Sequence, residues 1–271
     1  MALHQDQETL ERLAFAVDIA REAGELTLRY FRGQDLKVER KADQSPVTIA
    51  DRKAEELLRQ RISQRYRADG LIGEEFGASE GANEYQWVLD PIDGTKSFIY
   101  GIPLYTTLVA VLKNEHPLIG VIHAPARRET VYAATGSGCW YLDGNGDSPR
   151  SARVSNIDRL DDGLLLTTEL KCFSQNRRSD ALERFMRLQQ LARVMRTWGD
   201  GYGYLMVATG RAEIMVDPIV NLWDAAPLQP VIEEAGGHFS DWNGTATIRA
   251  GEALATNGRL TSDVLKYLGG E

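Results

Sequence analysis

The residues of this chain best suited to chemistry are two carboxylates three positions apart, in Asp90-Pro91-Ile92-Asp93-Gly94-Thr95. Pro91 restricts its own φ, and Gly94 permits sharp backbone geometry. Trp87-Val88-Leu89 reads as a short apolar strand running into this turn, so Asp90 and Asp93 project from one sheet edge. Hard divalent cations take oxygen ligands, and a rigid turn also offers a backbone carbonyl such as that of Ile92. Gly94 and Thr95 can present backbone amides to a phosphate at a helix start. A bare Asp-Pro-x-Asp-Gly is also a common surface turn. Context favours the metal: Leu71-Ile72 reads as a second strand, closed by Gly73-Glu74-Glu75. Acidic clusters at neighbouring strand ends repel each other unless cations lie between them. Metal binding is therefore the expectation for Glu74, Asp90 and Asp93.

Two further aspartates stand at helix starts. Asp224, in Trp223-Asp224-Ala225-Ala226, lies in the first turn of an Ala-rich helix. Asp51 closes Thr48-Ile49-Ala50-Asp51, which has the form of a capping box. Taken alone, each reads as a helix-start residue.

The elements that must position these groups follow from periodicity. Leu10, Leu13, Val17, Ala20, Gly24, Leu28 and Phe31 line one face of a helix over 8–32. After a polar loop from Lys37 to Pro46, a second helix buries Ala50, Ala54, Leu57, Leu58 and Ile62. Downstream of the Asp-Pro turn, a β-meander is expected over Thr106 to Leu112, Leu118 to His123, Thr130 to Ala134 and Cys139 to Leu142. The polar segment Asp143 to Arg153 divides the chain into an α+β half, 1–147, and an α/β half, 148–271. In the second half, Leu164-Leu165-Leu166, Val194-Met195 and Glu213 to Val216 read as strands. Asp180 to Leu191, Gly203 to Thr209 and Trp223 to Glu234 read as helices, the last closed by Gly236-Gly237.

Composition narrows the function classes. With 39 acidic against 31 basic side chains the net charge is −8, and no dense Lys/Arg run offsets it. Such a chain repels nucleic acid and anionic membranes. Cys139 and Cys172 stand far apart, which argues against a disulfide scaffold or a cysteine zinc site. The N-terminus lacks the n- and h-regions of a signal peptide, and no apolar run reaches membrane-spanning length. A reducing cytoplasm is the expected setting. His4, His116, His123 and His238 show no metal-ligand spacing, and a structural role is expected for each.

Three separated motifs then carry a resemblance. Gly73-Glu74-Glu75, Asp90-Pro91-Ile92-Asp93-Gly94-Thr95 with Phe98, and Trp223-Asp224-x-Ala226 followed by Glu234-Ala235-Gly236-Gly237 resemble the signatures of the inositol monophosphatase family, in order. The likeness runs from Ser45-Pro46-Val47-Thr48 and Asp51 to the final helix. It implies the layered αβαβα sandwich of the inositol monophosphatase / fructose-1,6-bisphosphatase superfamily. It also implies Mg²⁺ dependence with two or three ions per site (Mn²⁺ as an alternative), lithium inhibition and a homodimer. By position, Glu74, Asp90 and the Ile92 carbonyl would hold a first ion, and Asp90, Asp93 and Asp224 a second. Glu74 would also touch a looser third. Thr95 with Glu74 would activate the attacking water, Asp51 would tune Thr95, and Lys41 would lie in a mobile loop that closes the site. Cations would neutralise the dianionic ester and acidify a water, so no covalent nucleophile is required.

Selectivity must come from the second half. Arg196-Thr197-Trp198-Gly199-Asp200-Gly201 and Ala226-Pro227-Leu228-Gln229-Pro230 depart from the inositol enzymes and resemble the histidinol-phosphate phosphatase branch of the family. Asp217 falls where the inositol enzymes carry a sugar-contacting Glu. Asp200 and Asp217 suit a substrate bearing an ammonium and an imidazole. They gain less from a neutral polyol; the alternative is that Asp200 caps the next helix and Asp217 ends a strand at the surface. The candidate substrate contacts are Asp93, Arg196, Asp200, Gly201 and Asp217. The expected function is hydrolysis of histidinol phosphate, a small metabolite. The alternatives are inositol 1-phosphate or a broad range of monoesters, or a catalytically idle protein partner.

Overall fold

The computed structural model describes residues 7–33, 38–41, 46–144 and 148–269. The first stretch contains α1 (Gln7–Leu28), the antiparallel pair β1 (Val38–Arg40) and β2 (Pro46–Thr48), and α2 (Ile49–Arg65). It continues through β3 (Gly70–Gly73), β4 (Gly77–Ser79), β5 (Tyr85–Asp93) and the short helix α3 (Thr95–Ile99). An antiparallel run follows: β6 (Thr106–Lys113), β7 (His116–Ala124), β8 (Glu129–Ala134), β9 (Cys139–Leu142) and β10 (Arg150–Ser151). The remainder is β11 (Leu164–Leu166), α4 (Ala181–Leu191), β12 (Val194–Arg196), α5 (Asp200–Ala208), β13 (Ile214–Asp217), α6 (Leu222–Glu234), β14 (His238–Ser240), β15 (Ala253–Thr256) and α7 (Thr261–Leu268).

Among the described residues the strands form an eight-stranded sheet, ordered β10-β9-β8-β7-β6-β5-β3-β4, and a five-stranded sheet, ordered β12-β11-β13-β15-β14. Alternation along each strand sends its side chains to two different cores. Trp87 and Leu89 of β5, with Val109 and Val111 of β6, pack against α1 and α2. Their neighbours Val88, Leu108 and Ala110 face the opposite way, onto α5 and α6. Those helices in turn cover Met215, Ala253 and Ala255 of the five-stranded sheet. Its far face, with Leu165, Ile214 and Leu254, packs on α4 and α7. The result is the expected αβαβα layering, with α5 and α6 buried as the middle layer.

The local signals for α2 and α6 hold. Thr48 Oγ1 accepts from the Ala50 amide at 3.1 Å, and the Thr48 amide donates to Asp51 at 2.9 Å. At the end of α6, Gly236 has φ 89°. The Gly236 and Gly237 amides return to the carbonyls of Glu233 and Ile232, both at 2.9 Å. This pair of bonds is a Schellman closure, which needs the left-handed residue that Gly236 supplies.

Other readings shift. The first helix stops at Leu28 rather than running to 32. Phe31 lies in the following turn, packed on Phe98 and Tyr105 at 5.6 and 5.1 Å. The strands His238–Ser240 and Ala253–Thr256 were not anticipated, because a strand covered on both faces shows no polar alternation. Residues 145–147, at the expected division of the chain, lie outside the described residues, as do Met1 to Asp6 and much of the loop from Lys37 to Pro46. Beyond that division, β10 still pairs with β9 and so belongs to the first sheet. No helix among the described residues is long and apolar enough to cross a membrane.

The middle layer has little slack where α6 crosses β7. A Cβ added to Gly120 would stand 2.1 Å from the Pro227 carbonyl oxygen. Gly120→Ala should therefore push α6 outward and cost about 1–3 kcal/mol as an overpacking change. Thermal melting of this variant should show a lowered Tm.

Candidate active site

Four carboxylates converge where β5 ends. Asp90 and Asp93 straddle an irregularity in the β5–β6 pairing. Pro91 has no amide to give that ladder, and its carbonyl instead accepts the Thr107 hydroxyl at 2.9 Å. Asp224 arrives from the first turn of α6. One oxygen from each of Asp90, Asp93 and Asp224 lies within 4.8 Å of the other two. Glu74 follows β3, which runs parallel to β5, and its amide donates to the Leu89 carbonyl at 3.2 Å. Its carboxylate reaches Asp90, whose carboxyl shares a hydrogen bond with it.

Neutral donors hold these acids in place. Asp93 Oδ2 accepts the Thr106 hydroxyl at 2.7 Å and the Gly201 amide at 2.5 Å. Thr106 is the cross-strand partner of Asp93, and Gly201 lies in the first turn of α5. A Cβ at Gly201 would stand 2.4 Å from Thr106 Oγ1, so only glycine allows this approach. Asp224 accepts the Asn221 amide at 2.7 Å.

The electrostatic strain is large. Burial, followed by the charges of Glu74, Asp93 and Asp224, raises the Asp90 carboxyl well above the ordinary carboxylate range. Burial raises Asp93 to about 6, against the bonds from Thr106 and Gly201. Burial and the charge of Asp93 push Asp224 to about 8. No Lys or Arg acts on these three among the leading causes. Hard oxygen donors that repel each other in a buried site match the donor set of a divalent cation.

The remaining groups of the Asp-Pro turn surround this cluster. Gly94 caps α3 with φ 81°. The Thr95 hydroxyl donates to the Ile92 carbonyl at 3.1 Å and approaches Asp51 Oδ1 at 3.5 Å. Asp51 is fully buried, and burial raises its carboxyl to about 6 against two bonds from Thr48. Lys41 Nζ bridges Glu74 at 2.7 Å and Glu75 at 2.6 Å. Burial would lower its pKa, but those two acids raise it. Burial pushes Glu75 up to about 7.

Next to the cluster is a pocket bordered by Asp93, Glu169, Asp200, Asp217 and Asp224. Its apolar wall includes Ile219, Val220 and Leu228, and no Lys or Arg lines it among the described residues. Asp200 takes φ 52°, and its amide donates to Thr168 Oγ1 at 2.9 Å. Its carboxylate lies over Gly94, where an added Cβ would stand 2.8 Å from Asp200 Oδ2. Asp217 accepts from the Thr168 amide and the Tyr204 hydroxyl, each at 3.1 Å. Burial raises both acids, Asp217 to about 6 and Asp200 well above its usual range. Arg196 is not brought in. It is exposed on β12, donates to the Met195 carbonyl and lies 5.9 Å from the centre of the Trp198 ring.

The family model of the inositol monophosphatase family matches residues 8–269. The chain belongs to that family. It is accordingly a phosphoric monoester hydrolase. The histidinol-phosphatase of Chlorobaculum parvum is 40% identical over 258 residues, covering 95% of this chain and 96% of its own. The histidinol-phosphatase of Mycobacterium tuberculosis is 38% identical, covering 94% and 97%. The crystal structure of the extragenic suppressor protein SuhB from Bartonella henselae superposes with a TM-score of 0.84 at 26% identity, covering 94% and 97%.

Within this inositol monophosphatase fold, Thr106, Thr168 and Tyr204 were not found from the sequence. Each is an ordinary hydroxyl residue whose partner is distant in the chain, and no local pattern marks it. The raised carboxyls predict a pH effect on stability. Between the unfolded carboxylate pKa of roughly 4 and the folded values of about 6 and 8, the unfolded state holds fewer protons. Stability of chelator-treated protein should therefore fall as pH rises through that window. Calorimetry should show its Tm lower at pH 8 than at pH 5.5. Added divalent cation should raise Tm more at pH 8, and an equal increment at both values would refute the linkage.

Proposed function

We propose that this enzyme hydrolyses histidinol phosphate, a phosphate monoester whose alcohol part is cationic, with Mg²⁺ as its ion and Mn²⁺ as a substitute. The observation that carries the reading is the acidic pocket beside the carboxylate cluster, with Asp200, Asp217 and Glu169 on its border and no basic lining side chain. An ammonium gains a charge-assisted bond there, whereas a neutral polyol gains less from burying its hydroxyls among carboxylates. The two histidinol-phosphatases that align over almost the whole chain support the same choice.

Glu74, Asp90, Asp93, Asp224 and the Ile92 carbonyl would hold the ions. Bound there, divalent cations neutralise the ester dianion and lower the pKa of an attacking water. The protein groups do the rest. Thr95, with its hydroxyl between the Ile92 carbonyl and Asp51, would orient that water together with Glu74. Asp51, itself held by Thr48, keeps an acceptor toward Thr95. The amides of Gly94 and Thr95 would receive phosphate oxygens at the start of α3. The Gly201 amide acts through Asp93, since it is committed to that carboxylate. In this reading the halves 1–147 and 148–271 divide the work: the first supplies most of the cluster, and the second supplies Asp224 and the pocket.

Asp200 is the better partner for an ammonium next to the ester. It lies against Gly94 and accepts no hydrogen bond among the described residues, whereas both oxygens of Asp217 are already engaged. Steady-state kinetics with Mg²⁺ should give a higher kcat/KM for histidinol phosphate than for inositol 1-phosphate. The reverse order would defeat the substrate assignment. Asp200→Asn should lower kcat/KM for histidinol phosphate by about 10–100-fold, the worth of a charged hydrogen bond. Its loss on p-nitrophenyl phosphate should be clearly smaller, and Asp217→Asn should show the weaker discrimination. Equal losses on both esters would assign these residues to the fold.

A further inference from the structure

Glu55 is an acid that the chemistry above leaves unused. It is fully buried, one helical turn beyond Asp51 on the same side of α2. Its carboxylate faces the turn that carries Glu74. Oε2 accepts the Glu75 amide at 2.7 Å, and Oε1 accepts the Phe76 amide at 3.2 Å. Arg59, one further turn along α2, donates to Oε1 at 2.7 Å and neutralises the charge. The approach is close enough to dictate the neighbouring residue: a Cβ on Gly73 would stand 2.0 Å from Oε1. On its other side the same turn is tied to β5 by the bond from the Glu74 amide to Leu89.

We propose that Glu55 is a positioning residue for the metal ligand Glu74, and that α2 acts as a ruler between the two halves of the water site. Asp51 holds the Thr95 end of that site, and Glu55 holds the Glu74 end. Their Cα positions are four residues apart, about 6 Å along the axis. A buried carboxylate accepting two amides has one stable placement relative to them, and a turn so anchored cannot shift without stranding donors. Glu74 extends from that turn, so its reach toward Asp90 is set by α2 as well as by the sheet. The assignment rests on the reading of Glu74 as a metal ligand.

The test uses the full-length enzyme. Glu55→Gln replaces one acceptor oxygen by an NH₂ group that faces a backbone donor and removes the negative charge paired with Arg59. Mn²⁺ binding, followed through the free-ion paramagnetic resonance signal, should weaken by about tenfold, the usual effect of losing a group that orients a ligand. The Mg²⁺ concentration for half-maximal activity should rise by a similar factor, with much of kcat recovered at saturating Mg²⁺. Arg59→Met, which retains both amide acceptors, should move the same readouts less and covers the case in which Glu55→Gln does not fold. A lowered Tm with wild-type Mn²⁺ affinity would make Glu55 a residue of the fold alone and overturn the proposal. So would a kcat loss that excess Mg²⁺ does not recover. A wild-type enzyme that neither binds Mn²⁺ nor requires Mg²⁺ would overturn the metal reading itself, an outcome seen before any variant is made.

Discussion

Mutual repulsion among Glu74, Asp90, Asp93 and Asp224 is the constraint around which the rest of the structure is arranged. Asp90, Asp93 and Asp224 resist ionisation together, and Asp90 and Asp224 are displaced furthest. The fold answers with dipoles. The hydroxyl of Thr106 and the amides of Gly201 and Asn221 direct their donors at the cluster. Each is neutral, so each fixes an oxygen without satisfying its charge. Lys41 pairs with Glu74 alone of the four, so the charge of the three aspartates is left for an ion, which is the physical basis for reading the cluster as a metal site.

The layers explain how such a cluster is held. Its acids come from β5, from the turn after β3 and from α6. The strands β3 and β5 are hydrogen-bonded neighbours, so Glu74 and Asp90 share one sheet. Asp224 comes from the middle layer, where α6 packs on Gly120 without room for a methyl group. Two helix starts complete the arrangement: the Gly201 amide in the first turn of α5 meets Asp93, and the Asn221 amide opening α6 meets Asp224. Both amide bonds favour the charged forms of these acids.

The pocket beside the cluster follows a different rule. There the acids differ in how far their oxygens are committed. Asp217 is engaged by Thr168 and Tyr204, and Glu169 is paired with Lys96. Among the described residues Asp200 is held through its backbone amide, in a left-handed conformation that lets the side chain lie over Gly94. One carboxylate is thus left available to a cation close to where the ester would lie, which gives selectivity a local cause.

Much of the site was legible in the chain itself. The Asp-Pro turn, Glu74, the capping box at Thr48 and the Gly-Gly closure of α6 are short patterns whose physics is local. A turn, a cap and a strand end need only a few consecutive residues. The family likeness added Asp224 as a proposed ligand and the proposed roles of Thr95 and Asp51. What only the tertiary structure decided is contact between distant residues: Thr106 on Asp93, Thr168 on both Asp200 and Asp217, and Glu55 beneath the Glu74 turn. It also left Arg196 outside the pocket and ended the first helix at Leu28. Hydroxyls and amides are common along the chain and carry no spacing signal. Their role appears when sheet pairing and layer packing bring them within 3 Å or so of an acid.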